Sequence, residues 1–172
     1  MNSLTLAQKV FQAAHLTGTF KLRSGATSSE YFDKYRFEGD PALLREIATA
    51  LAQRLPGNFV ALAGLEMGGI PIATMLSQVT GKPALFIRKR AKDYGTCRFA
   101  EGGEVKGRQL LLVEDVVTSG GQIIESARAL RGEGAIITDV GCVIDREAGG
   151  VAALAKEGLA LTSLFTLTAL RK

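Results

Sequence analysis

Tryptophan is absent, aromatic residues of all kinds make up 6% of the chain, and His15 is its one histidine. So few rings argue against a platform for single-stranded nucleic acid, which needs aromatic side chains to receive successive bases. Cysteine is scarce, and Cys97 and Cys142 match no zinc or redox spacing. Two free thiols in a reduced, cytoplasmic protein are expected. No uncharged apolar run approaches the roughly 20 residues of a membrane-spanning helix. The opening MNSLTLAQKVF lacks the basic region and small-residue cleavage site of a secretory signal, so none is expected. There is no internal repeat, low-complexity tract or Pro/Ser-rich linker, and a single domain over 1–172 follows.

What is present suits one compact core. The chain has 172 residues, 47% apolar and 22% charged, which excludes global disorder. Its net charge is +4, and much of that sits in Arg88-Lys89-Arg90-Ala91-Lys92. One basic cluster beside glycine-rich sequence points to a small polyanion more than to a nucleic-acid face.

Leu6, Val10 and Ala14 have helical spacing over 5–16, ending at Gly18. Residues 19–37 alternate through Phe20 and Leu22, then Tyr31, Asp33, Tyr35 and Phe37, which reads as a strand pair. Asp40-Pro41 marks a helix start, with Leu44, Ile47, Ala48, Leu51 and Leu55 as its inner stripe. Apolar runs at 59–64, 83–89, 110–115, 135–146 and 161–165 then alternate with helical segments. That rhythm predicts an α/β fold with a central, mostly parallel sheet flanked by helices. Ligands of such sheets bind beyond the carboxyl ends of the strands.

The segment from Leu110 to Gln122 carries the most chemistry. An apolar strand delivers Glu114 and Asp115, and Val116 and Val117 lead into Thr118-Ser119-Gly120-Gly121 and a helix. Small residues there can turn successive backbone N–H groups into one concavity, and the helix dipole adds positive potential. This cradle suits one phosphate, while the carboxylates suit the cis-hydroxyls of a sugar or a water-bound Mg²⁺. Together they describe a site for a ribose 5-phosphate. Walker A spacing is missing, and Gly132-Glu133-Gly134 precedes a strand where a dinucleotide fingerprint would follow one.

This segment resembles the motif with which type I phosphoribosyltransferases bind 5-phosphoribosyl 1-diphosphate (PRPP). Thr17–Gly25, Ser29–Asp33, Arg88–Gly95 and Asp145-Arg146 narrow the resemblance to the orotate phosphoribosyltransferases. It implies the type I phosphoribosyltransferase fold with a small N-terminal hood or cap over about 1–37 and a mobile lid over about 88–107. It also implies a homodimer in which each lid reaches the neighbouring site, with orotate and PRPP as substrates and orotidine 5′-monophosphate and pyrophosphate as products.

The resemblance assigns residues 114–122 to PRPP. Arg88, Lys89 and Lys92 then meet the departing pyrophosphate, with Tyr94 where many relatives have His. The turn with Glu66, Gly68 and Gly69 resembles the family's pyrophosphate-binding turn. Arg23, Tyr31, Phe32, Thr118 and Arg146 face orotate. Lys92, Arg88, Lys89 and Asp115 are the expected catalytic group. Mg²⁺ is the expected cofactor, carried by PRPP with no direct protein ligand beyond possible water-mediated contact from Glu114 and Asp115. A purine or xanthine phosphoribosyltransferase would share the PRPP motif without the cap or Arg146, and a PRPP-sensing regulator would lack catalysis.

Overall fold

The computed structural model describes residues 4–21, 25–90 and 98–172. Its main sheet contains β3 (Ala61–Leu65), β4 (Ala84–Ile87), β5 (Ala100–Glu101), β6 (Gln109–Val117), β7 (Ile136–Asp145) and β8 (Ala160–Thr166), in the order β5-β4-β3-β6-β7-β8. Every neighbouring pair is parallel except β4 with β5. Apart stands an antiparallel hairpin of β1 (His15–Lys21) and β2 (Thr27–Phe32). The helices are α1 (Leu6–Ala14), α2 (Tyr35–Glu38), α3 (Pro41–Ala52), α4 (Gly69–Thr80), α5 (Gly121–Gly132), α6 (Gly150–Lys156) and α7 (Leu167–Leu170).

The apolar runs are continuous because both faces of the sheet are covered. Leu111 and Val113 pack on one side with α3 and α4, through Leu44, Ile47, Leu51, Ile72 and Leu76. Leu110 and Leu112 pack on the other with α5 and α6, through Ile123, Ala127, Leu130 and Leu154. Side chains alternate faces along a strand, so an unbroken apolar run fits only a sheet buried twice. The helix after β3 leaves to one face and the helix after β6 to the other. The adjacent carboxyl ends of β3 and β6 are therefore the switch point where such sheets bind ligands.

Capping follows the sequence closely in places. The Asp40 carboxylate accepts from the N–H groups of Ala42 and Leu43 at 2.9 and 3.0 Å, with Pro41 in the first turn of α3. Thr5 and Gln8 form a reciprocal capping box on α1.

Three expectations change. The first helix stops at Ala14, short of Gly18, because His15 pairs with Phe32 and the Ala14 carbonyl accepts the Asp33 N–H at 2.8 Å. Strand alternation does not run through Tyr35 and Phe37. Asp33 accepts the Tyr35 N–H at 3.3 Å and the chain coils into α2, burying Phe37 completely. The stretch 88–107 is not one loop. Residues 91–97 lie outside the described residues, whereas Ala100 and Glu101 pair with β4 and Ala100 and Val105 are buried.

Candidate active site

A cavity of about 570 Å³ opens at the switch point. Its floor is the end of β6 and the turn into α5. Gly120 adopts φ 79°, a left-handed conformation that glycine takes without strain, and no side chain caps the helix. Among the described residues, the backbone N–H groups of Thr118, Ser119, Gly120 and Gly121 donate to no chain acceptor. Thr118 and Ser119 are exposed to the cavity. Unpaired donors at a helix N-terminus attract a phosphoryl group.

Opposite lies the turn between β3 and α4, and it approaches closely. A Cβ on Gly68 would lie 1.5 Å from Asp115 Oδ2, and one on Gly69 would lie 2.2 Å from the Val113 carbonyl oxygen. Glycine at both positions lets the turn rest against β6. The Glu66 carboxylate accepts the Lys89 N–H at 2.6 Å, tying this turn to the chain after β4.

The acidic pair divides its duties. Glu114 is half-buried and lines the cavity. The Asp115 side chain is fully buried, with Lys34 Nζ 2.5 Å from Oδ2 and the Val116 N–H donating to Oδ1 at 2.5 Å. Glu38, 7% exposed, adjoins the pair. Burial, reinforced by Asp115, pushes the Glu38 carboxyl up to about 9 and Glu114 up to about 8. Burial acts on Asp115 in the same sense, but hydrogen bonds from Glu114 and Lys34 outweigh it and hold that carboxyl below its ordinary value. Burial opposes the charge on Lys34, yet the Asp115 contact raises it above the usual lysine value. The cluster therefore favours charge on Asp115 and Lys34 and disfavours it on Glu38 and Glu114.

A second cavity, of about 210 Å³, lies under the hairpin, with Tyr31, Phe32 and Arg146 in its wall beside His15, Glu30 and Arg171. Phe20 stacks on Tyr31 with ring centres 5.4 Å apart. The two cavities are neighbours, since the Arg146 N–H donates to the Val117 carbonyl at 2.9 Å, one residue before Thr118.

Residues 37–161 match the family model described as "Phosphoribosyl transferase domain". An orotate phosphoribosyltransferase of a Nocardioides species is 50% identical over 162 residues, 94% of this chain and 90% of that protein. One from Halobacterium salinarum is 40% identical over 149 residues, 87% of this chain and 85% of that protein. The chain belongs to the orotate phosphoribosyltransferase family.

Solved structures agree. The orotate phosphoribosyltransferase of Aeropyrum pernix superimposes with a TM-score of 0.84 at 32% identity, covering 96% of each chain. That of Mycobacterium tuberculosis in complex with inorganic phosphate gives 0.85 at 28% identity, over 97% of this chain and 96% of that one. The fold is therefore that of the type I phosphoribosyltransferases, a mostly parallel sheet with flanking helices.

Against that family pattern, the structure brings Glu66, Gly68, Lys89 and all of 114–122 to one cavity. Gly69 stands behind it as the first residue of α4. Arg88 is held elsewhere. Its Nε lies 3.2 Å from Glu101 Oε1, and its side chain lines a separate pocket with Phe86 and Glu101. Of the residues expected at orotate, Tyr31, Phe32 and Arg146 share the second cavity, while Thr118 is in the first. Arg23, Lys92 and Tyr94 lie outside the described residues.

Sequence reasoning missed Lys34, Tyr35 and Glu38. The strand reading of 31–37 hid them, because an alternating strand would put Lys34 and Glu38 on solvent. Lys34, the N-cap of α2, and Glu38, its last residue, stand one turn apart and meet Asp115. His15, the chain's one histidine, lines the second cavity, stacked on Phe11 with ring centres 4.7 Å apart.

Proposed function

We propose that this chain transfers the ribose 5-phosphate group of PRPP to orotate, giving orotidine 5′-monophosphate and pyrophosphate in pyrimidine biosynthesis. One observation carries the reading: unpaired amides at the N-terminus of α5, a carboxylate pair and a glycine turn face one another across a single cavity. The 5-phosphate rests on the 118–121 amides. The ribose hydroxyls meet Glu114 and Asp115. The diphosphate extends toward the Glu66–Gly69 turn and Lys89, where Lys92 and a released Arg88 add positive charge. Orotate lies between the two cavities, its carboxylate toward Arg146, its ring against Tyr31 and Phe32, with Thr118 nearby and Arg23 as a further contact by family resemblance. A guanidinium fork matches a carboxylate or an imide edge.

The bond from the anomeric carbon to pyrophosphate oxygen breaks as the bond to the orotate ring nitrogen forms, with inversion. No side chain need act as nucleophile. The chain aligns the two substrates and stabilises charge flowing onto the leaving group. By family resemblance, the lid expected within about 88–107 excludes water during the step and serves the neighbouring site of a homodimer. Buried, unpaired Cys142 accords with a cytoplasmic setting.

Mg²⁺ fits the donor set as a passenger on substrate. Glu114 and Asp115 line the cavity with no metal-holding cluster of side chains among the described residues, and Mg²⁺ favours few carboxylates with phosphates and water. When bound, it would neutralise diphosphate charge.

The test is pyrophosphate release from PRPP with orotate, set beside uracil, hypoxanthine and guanine. Orotate alone should support turnover with one orotidine 5′-monophosphate per pyrophosphate. Equal or faster turnover with a purine would overturn the assignment, and PRPP binding without turnover on any base would make the protein a sensor.

A further inference from the structure

Asp115 is a buried carboxylate whose two oxygens are held from different directions. The Val116 N–H donates to Oδ1 at 2.5 Å, and the Lys34 ammonium stands 2.5 Å from Oδ2 as an ion pair that leaves this oxygen without an aligned hydrogen bond among the described residues. Oδ2 occupies the slot that any side chain at 68 would fill. Lys34 arrives from the cap, two residues after Phe32, with its backbone pinned on either side. Asp33 donates to Ala14 at 2.8 Å and accepts from Tyr35 at 3.3 Å. Glu38, on the next turn of the same segment, is 7% exposed, and its Oε1 has no hydrogen-bond partner among the described residues. Without the ammonium, Asp115 would face the carboxyl groups of Glu38 and Glu114 with no cation beside it. A buried charge stripped of its partner either takes a proton or turns away.

We propose that Lys34 is a positioning residue for the sugar: its ammonium holds the Asp115 carboxylate in the attitude that receives the ribose hydroxyls, so the segment that forms the cap also sets the floor of the PRPP site. This rests on the reading that Asp115 meets the ribose. Lys34 acts through Asp115 and makes no independent contribution to PRPP affinity.

The test is a double-mutant cycle read by steady-state kinetics with PRPP and orotate varied separately. Lys34→Met keeps the aliphatic stem and loses the charge. It should raise KM for PRPP by about tenfold, equivalent to ~1.4 kcal/mol, while KM for orotate at saturating PRPP changes by less than about twofold. Lys34→Arg should recover most of the loss, which a purely structural role would not predict. Asp115→Asn should raise KM for PRPP at least as far, and the double variant should be no worse than Asp115→Asn alone. Effects that multiply would show that Lys34 touches substrate on its own and overturn the inference. So would an unchanged KM for PRPP in Lys34→Met beside a raised one in Asp115→Asn. An unchanged KM in Asp115→Asn would instead remove the ribose reading itself. Should Lys34→Met fail to fold, Lys34→Gln, which keeps a donor without the charge, carries the same comparison.

Discussion

Replacing Gly68 with alanine puts a methyl group where the Asp115 carboxylate sits. The added carbon would stand 1.5 Å from Oδ2 and 2.3 Å from the carboxyl carbon, so the carboxylate must retreat by about 2 Å to reach ordinary contact. It has little room, being fully buried with Oδ1 bound to the Val116 N–H. Losing one partner of a buried pair outright costs about 3–5 kcal/mol. Lys34, 32% exposed on a flexible stem, can follow the moving carboxylate, so a cost of about 1–3 kcal/mol is expected, in the range of an overpacked interior. Any part expressed in substrate binding becomes roughly a 10- to 100-fold rise in KM for PRPP. The assay is initial-rate pyrophosphate release with PRPP varied at saturating orotate, beside a thermal unfolding curve. Gly68→Ala with wild-type KM and an unchanged midpoint would refute the close-approach reasoning.

Gly69→Ala should be harsher for folding, because its methyl would meet the Val113 carbonyl 2.2 Å away and main chain cannot swing aside. A loss of about 3 kcal/mol or more in urea unfolding is expected. Because the Glu114 carboxyl is raised to about 8, kcat/KM for PRPP should climb as pH rises through that value, and Glu114→Gln should flatten the limb. The same shift works the other way on stability. The folded chain keeps protons on Glu114 and Glu38 that the unfolded chain releases near 4.5. Their contribution to stability therefore falls as pH rises from about 4.5 toward 8–9, and Glu38→Gln should lessen that decline in unfolding midpoints. Asp40→Ala removes the cap of α3, and Asp40 lines a pocket other than the substrate cavity. It should cost about 1 kcal/mol, lowering the melting temperature by ~2–4 °C with kinetics unchanged.

The sheet was legible because it is buried on both faces. Runs such as Leu110–Val113 can satisfy no other environment, and Gly81, at φ 70°, closes α4. The phosphate turn was legible because its demands are local: small residues, a left-handed glycine and a helix beginning. What escaped depends on distance. Nothing within 31–38 says that Lys34 will meet a carboxylate on β6, since that contact exists only once α2 packs beside the switch point. Period-two alternation over so short a run fits a strand and a helical turn alike, and burial of Phe37 decided between them. Arg88 escaped for a related reason. Its partner Glu101 belongs to β5, an antiparallel edge strand of two residues too short to show in a hydrophobic pattern.

The most direct measurement is a crystal structure of the protein soaked with PRPP in the absence of orotate. The 5-phosphate should lie on the amides of 118–121 at the start of α5, the ribose hydroxyls on Glu114 and Asp115, and the diphosphate toward Gly68 and Lys89. PRPP bound with its 5-phosphate away from that turn, or with its diol facing other groups, would contradict this placement.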